Sequence, residues 1–267
     1  MLLIAGITNL AFYGRWSLDW VGPAGHQLGA WVVLVPVAGA LVIGVMARYG
    51  SAAIRGHGIP EAMDQVLHNG SRIPARMAWL KPLSAAISIG TGGPFGAEGP
   101  IIATGGALGS LLGQLLRTTA DERKTLLAAG AAAGMAATFG SPVSAVLLAV
   151  ELLLFEYRPR SILPVAIAAV GATGVRYLSH GAAPAFDVGS IGPATSTAVL
   201  AYLVVGALVG LGAVVVTKLV YGVEDQFARL PLHWMWWPAL GALVVGAIGW
   251  YEPHTMGVGY DNIEGIV

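Results

Sequence analysis

GTGGPFGAEGP, residues 90–100, is the stretch on which the fold turns. Five glycines and two prolines within 11 residues exclude a regular helix there. An apolar helical run nevertheless starts at Ile101, directly afterwards. Pro100 suits the first turn of that new helix, where a missing N–H costs nothing. The remaining N–H groups of such a turn lie at the positive end of the helix dipole and form a site for an anion. Gly96 and Gly99 leave the backbone bare to close approach, with Ala97 and Glu98 between them. The Glu98 carboxylate can fill the site itself until it is protonated or displaced. The alternative role for Glu98 is that of a helix-capping glutamate, as in soluble proteins.

The surroundings of this stretch are those of a membrane protein. Only 10% of the 267 residues are charged, against about 25% in a soluble domain, and the mean hydropathy is +0.73. In such nearly charge-free flanks an acidic residue reads as functional rather than decorative. The 38 glycines fit helices whose backbones approach closely in lipid. No cysteine is present, which excludes disulfides and cysteine-ligated metals, and a net charge of zero gives no basic surface for nucleic acid. No cleavable signal is visible: residues 1–13 are apolar but lack a basic front. At about 1.5 Å per residue they reach roughly 20 Å, short of the ~30 Å hydrocarbon core.

Apolar helical runs occupy residues 28–47, 83–89, 101–116, 125–139, 143–155, 162–177, 195–221 and 235–250. Several fall short of the ~20 residues of a full span. Short, glycine-interrupted apolar segments mark the broken helices of transporters, which survive at membrane depth only where protein or a water-filled cavity satisfies their backbone. Strand alternation is absent, so the expected class is an all-α membrane protein without a soluble domain. Before residue 28 the only basic residue is Arg15, whereas Arg48, Arg55, Arg72, Arg76 and Lys81 follow the first long run. The positive-inside rule makes that second stretch cytoplasmic, with Arg117, Arg123, Lys124, Arg158 and Arg160 marking further cytoplasmic turns. Trp234, Trp236 and Trp237 read as an interfacial belt or as packing between helices.

A second break, GHGIP at residues 56–60, precedes another short helix. His57, Gly58, Ile59 and Pro60 there form either an ordinary loop–helix junction or a second anion-facing helix start. In a third stretch, residues 125–155, Gly130 and Gly134 stand four apart, as do Gly105, Gly109 and Gly113 in the preceding run. Such ridges of small residues permit tight crossings. The break at residues 140–142 opens one more helix, and Glu151 near its end is a second intramembrane acid, in an interfacial, capping or proton-pathway role.

GHGIPE (residues 56–61), GAEGP (96–100) and DERKTLLAAGAAAGMAATFGSPVSAVLLAVE (121–151) resemble, in order and spacing, successive signatures of the CLC chloride channels and exchangers. The likeness runs from about Ala5 to Ile263, and GVGYDNIEGIV (257–267) resembles a glycine-rich link in the second half of the family's fold. The resemblance implies a bundle of tilted and broken helices built as two inverted repeats, with residues 1–194 as the first and 195–267 as the start of the second. It implies a homodimer in which each protomer holds its own pathway. Gly96, Ala97, Glu98, Gly99 and Pro100 would bind the central anion, with Glu98 as the gating glutamate and, in an exchanger, the outer proton carrier. His57, Gly58, Ile59 and Pro60 would bind the inner anion. Transported chloride, protons in an exchanger, no cofactor and the inner membrane of a prokaryote complete the picture.

Three departures from the family pattern stand out. His57 replaces a frequent serine, and reads either as an anion donor that titrates near neutrality or as a solvated histidine. Ala97 replaces a frequent basic residue, which weakens the local positive potential. Leu152 stands where exchangers carry an internal proton-relay glutamate, beside Glu151, which puts strict proton exchange in doubt. The family's later anion loop and late tyrosine are missing, so the chain is expected to be a fragment that does not conduct normally by itself. Fluoride or nitrate selectivity remains open beside chloride. An intramembrane enzyme using Ser141 or Ser144 with His57, His180 or His254 lacks a nucleophile turn, a phosphate loop or metal-ligand spacing. A non-transporting scaffold leaves a carboxylate at a buried helix start unexplained.

Overall fold

A computed structural model describes residues 1–181 and 195–265 of the chain. Among the described residues there are eleven α-helices and no strand. They are α1 (Leu2–Tyr13), α2 (Leu34–Val45), α3 (Ile59–His68), α4 (Met77–Gly90), α5 (Glu98–Leu115) and α6 (Ala120–Phe139). There follow α7 (Pro142–Ala149), α8 (Pro159–His180), α9 (Ser196–Ala228), α10 (Trp237–Tyr251) and α11 (Tyr260–Glu264). By length and composition, Gly29–Gly50, Pro159–Ser179 and Ser196–Ala228 can cross a membrane. The first of these is continuous because a 3-10 turn (Gly29–Val33) leads into α2 and a π turn (Met46–Gly50) leaves it. α3 and α7, at 10 and 8 residues, are too short for a span.

The chain divides into two units, one of residues 1–187 and 238–267 and the other of residues 188–237. In the first, glycine decides the packing. A side chain on Gly105 would strike the Gly130 carbonyl, one on Gly130 the Gly105 carbonyl, and one on Gly109 the Leu126 carbonyl. Residues 101, 105 and 109 thus meet 134, 130 and 126, so α5 and α6 run antiparallel with their backbones in contact. The small-residue ridges perform the role their spacing predicts. α6 also packs on α8, and α1 on α4, where Gly90 admits the Ile7 side chain.

The second unit consists, in its described part, of α9 and a turn of tryptophans. None of the 33 residues of α9 is buried, and at about 1.5 Å per residue it reaches roughly 50 Å, which permits considerable tilt in a ~30 Å core. The Trp237 ring lies edge-on to Phe227, and its Nε1 donates to the Leu232 carbonyl at 3.1 Å, while Trp236 is exposed.

One sequence expectation needs correcting. The run at 83–89 is the end of a longer helix, α4, which begins at Met77 and carries Pro82 inside it. Lys81 and Arg123, two of the charges read above as marking the cytoplasmic side, lie within the protein, at 3% and 6% exposure. Each neutral carbonyl cluster they bind explains the burial: the Arg123 guanidinium donates to the Gly70 and Thr118 carbonyls, and Lys81 belongs to the site described next. The proposed repeat boundary at residue 194 and the His180 side chain lie outside the described residues.

Candidate anion site at two helix starts

α4 ends at Gly90, and the chain turns back sharply. Gly92 N–H donates to the Ile89 carbonyl and Gly93 N–H to the Ser88 carbonyl, both at 2.9 Å. Gly92 has φ +98°, a conformation costly for any residue with a Cβ. Ala97 is buried, and α5 begins at Glu98, which makes Pro100 its third residue. Glu98 and Gly99 are therefore the first two helical positions, and their N–H groups have no acceptor within the helix.

The other break is built from the opposite direction. Gly56 (φ +80°) and Gly58 (φ +105°) swing the chain into α3, which starts at Ile59. Beneath this loop the buried Lys81 ammonium donates to the Ile54 and Gly56 carbonyls at 2.8 Å each and to the Arg55 carbonyl at 3.5 Å. An ammonium taken out of water demands such acceptors. The lysine thus ties the loop to α4 and leaves a positive charge under it.

The two helix starts touch. The His57 carbonyl lies directly on Gly99, so closely that a Cβ on Gly99 would collide with it. A Cβ on Gly58 would stand 2.6 Å from the Gly99 carbonyl and 2.9 Å from the Ala103 side chain. Of the two glycines read in the sequence as bare backbone, Gly99 is met by the loop that carries Gly58, whereas Gly96 stays exposed with the Glu98 carboxylate beside it, Oε2 occupying the place of a Cβ. Glu98 is thus folded back over the loop that leads into its own helix. Its Oε1 accepts a hydrogen bond from the Tyr260 hydroxyl at 3.1 Å. At the α3 start, Glu61 Oε2 accepts from Gly58 N–H at 2.5 Å. His57 is exposed, and so is Glu151, whose π turn (Val150–Leu154) packs on α3 and α6.

The sequence model of the voltage gated chloride channel family matches residues 38–267. The chain belongs to that family. Among relatives of this CLC chain, a ClcB-like protein of Ralstonia nicotianae is 29% identical over 244 residues, covering 88% of this chain and 56% of the relative. Chloride channel protein CLC-f of Arabidopsis thaliana is 28% identical over 252 residues, covering 88% and 31%. Of solved structures, a slow cyanobacterial Cl⁻/H⁺ antiporter superposes with a TM-score of 0.74 at 22% identity, over 85% of this chain and 54% of that one. A eukaryotic CLC transporter gives 0.72 at 21%, over 92% and 45%. The bundle of broken helices is accordingly the CLC fold, and the family is one of channels and antiporters, not enzymes. This CLC chain spans between 31% and 56% of the lengths of these four proteins.

Two residues of the site were not given a role in the sequence reading, although one of them, Tyr260, lies within the quoted stretch 257–267. Lys81 was readable only as one more basic residue, although its place inside an apolar helical stretch beside Pro82 is a signal of burial. Tyr260 stands 162 positions from Glu98, and no local pattern joins them.

Proposed function

We propose that this chain forms an anion-binding part of a membrane transporter for chloride or similar small monovalent anions, gated by Glu98. The observation that carries the reading is the meeting of two glycine-built helix starts with a carboxylate folded back beside them. The N–H groups of Glu98 and Gly99 have no acceptor within α5, and that of Ile59 has none within α3, so both helix starts offer donors. The Lys81 ammonium beneath the inner loop adds fixed positive charge. A small anion gains from all of these without needing a bound metal or cofactor. Glu98 supplies the competing negative charge: while the carboxylate stays in place it opposes the anion, and its protonation or displacement opens the route.

The finer assignments follow the same logic. Gly96, Ala97, Glu98, Gly99 and Pro100 serve the central position, and His57, Gly58, Ile59 and Pro60 the inner one, where the Ile59 amide and the imidazole act as donors because Gly58 N–H already serves Glu61. Glu151, exposed on a turn against α3, is the candidate inner proton group, since Leu152 carries no proton. Residues 1–194 and 195–267 belong to successive inverted repeats, and the protein works as a homodimer in a prokaryotic inner membrane.

The test is flux in liposomes holding the protein at its full natural length. Glu98→Gln removes the competing charge, so anion flux should become insensitive to pH; flux that keeps its pH dependence would remove Glu98 from the gate. Following proton and anion movement in the same vesicles separates exchanger from channel. Competition by fluoride and nitrate sets the selectivity.

A further inference from the structure

Tyr260, in the glycine-rich stretch 257–267, approaches Glu98 from 162 positions further along the chain. Its position is fixed by several contacts. α11 begins at Tyr260, after Gly257 and Gly259 have turned the chain with φ +79° and +78°. Gly257 N–H donates to the Gly92 carbonyl at 3.3 Å, which ties this segment to the loop before α5. The neighbouring Asp261 points elsewhere and accepts from Trp20 Nε1 at 3.2 Å, while Asn262 Nδ2 donates to the His254 carbonyl at 2.9 Å. The phenol is thus presented by an anchored segment, and its hydroxyl meets one carboxylate oxygen while the other rests over Gly96.

From this geometry we infer that Tyr260 is a positioning residue, a latch whose hydroxyl holds the Glu98 carboxylate folded back, so that an entering anion must break the Tyr260–Glu98 hydrogen bond. The inference rests on the gating reading of Glu98. A hydrogen bond to an ionised acceptor is stronger than one between neutral groups, and it is lost when the carboxylate swings away. The latch therefore favours the closed arrangement without touching the anion.

Tyr260→Phe removes the donor and keeps the ring. In liposome flux at fixed pH, it should raise anion flux at low anion concentration severalfold, up to about tenfold, and lower the half-saturating anion concentration by a similar factor. In a Glu98→Ala background the same substitution should change neither quantity, because the latch acts only through the carboxylate. Unchanged flux and half-saturation on Tyr260→Phe alone, or an equal change with and without Glu98, overturns the latch. Glu98→Ala measured by itself separates the two claims. If it leaves flux as it was, the gate fails and the latch with it; if it opens the route while Tyr260→Phe is silent, only the latch falls.

Discussion

The starts of α3 and α5 use the same ingredients and arrange them differently. Each has glycines, a proline in the first turn and a glutamate. At α3 the glutamate is the third helical residue and reaches back to Gly58 N–H, the reach-back half of a capping box, in which the reciprocal half is impossible because glycine has no side chain. That bond is local and closes a ring of four residues. At α5 the glutamate is the first helical residue, too early to reach back in this way, and its carboxylate is held over Gly96 by a hydroxyl 162 positions away. One carboxylate is bonded within its own helix start; the other is bonded to a distant segment. Position within the first turn separates a cap from a candidate gate.

The comparison breaks most visibly if the two acids are exchanged in an experiment. Glu98→Ala should raise flux at neutral pH by about tenfold or more, as expected when a minor open state becomes the main one, with little change in thermal stability. Glu61→Ala should do the reverse: the α3 start loses a cap worth about 1 kcal/mol, the melting temperature in detergent drops, and the pH dependence of flux stays. Equal flux effects from both acids would erase the distinction.

The glycines sharpen it further. Gly99→Ala sets a methyl against the His57 carbonyl, and backbone cannot move aside without parting the two helix starts. A loss of about 1–3 kcal/mol is expected, outweighing any gain in helix propensity. At Gly96 the added methyl meets only the flexible end of Glu98. Gly96→Ala should therefore cost less in melting temperature than Gly99→Ala and shift flux in the direction of Glu98→Ala, since the carboxylate is pushed off its place.

Much of this was legible in the sequence because it is local. Glycine and proline clusters at 56–60, 90–100 and 140–142 gave the helix breaks, and glycines four apart on α5 and α6 gave the tight crossing, since both follow from what a missing Cβ or N–H permits. The contents of the bare glycine surfaces were not legible. That Gly99 would meet the His57 carbonyl depends on how two loops 42 positions apart come together, and that the Glu98 carboxylate would sit against Gly96 depends on the distant hydroxyl that holds it. The burial of Lys81 was not legible because the positive-inside rule counts charges without their acceptors; the Ile54 and Gly56 carbonyls that justify burial come from another loop. Tyr260 has the same cause, a contact set by tertiary packing alone.

A third helix start calibrates the other two. At α6, Thr119 is the N-cap: its hydroxyl oxygen accepts from Glu122 N–H at 3.3 Å and donates to Glu122 Oε2 at 2.8 Å, while Thr119 N–H donates to the same oxygen at 2.9 Å. This is a full capping box on an exposed, charged turn, of the kind that does nothing but begin a helix. The backbone and hydroxyl donors of Thr119 hold the Glu122 carboxyl below its ordinary range. A depressed value in the folded state means that the carboxylate's contribution is complete above the ordinary carboxylate range and is lost as pH falls through the folded value. Thr119→Ala should therefore lower stability at neutral pH, read as a lower melting temperature, and the gap between parent and variant should narrow on acidification. Flux and its pH dependence should not move, because this glutamate, like Glu61, is bound to its own helix start. A flux change here would mean that loosening any helix start in this bundle disturbs the route, and that the special standing of Glu98 comes from the packing of α5 rather than from its carboxylate.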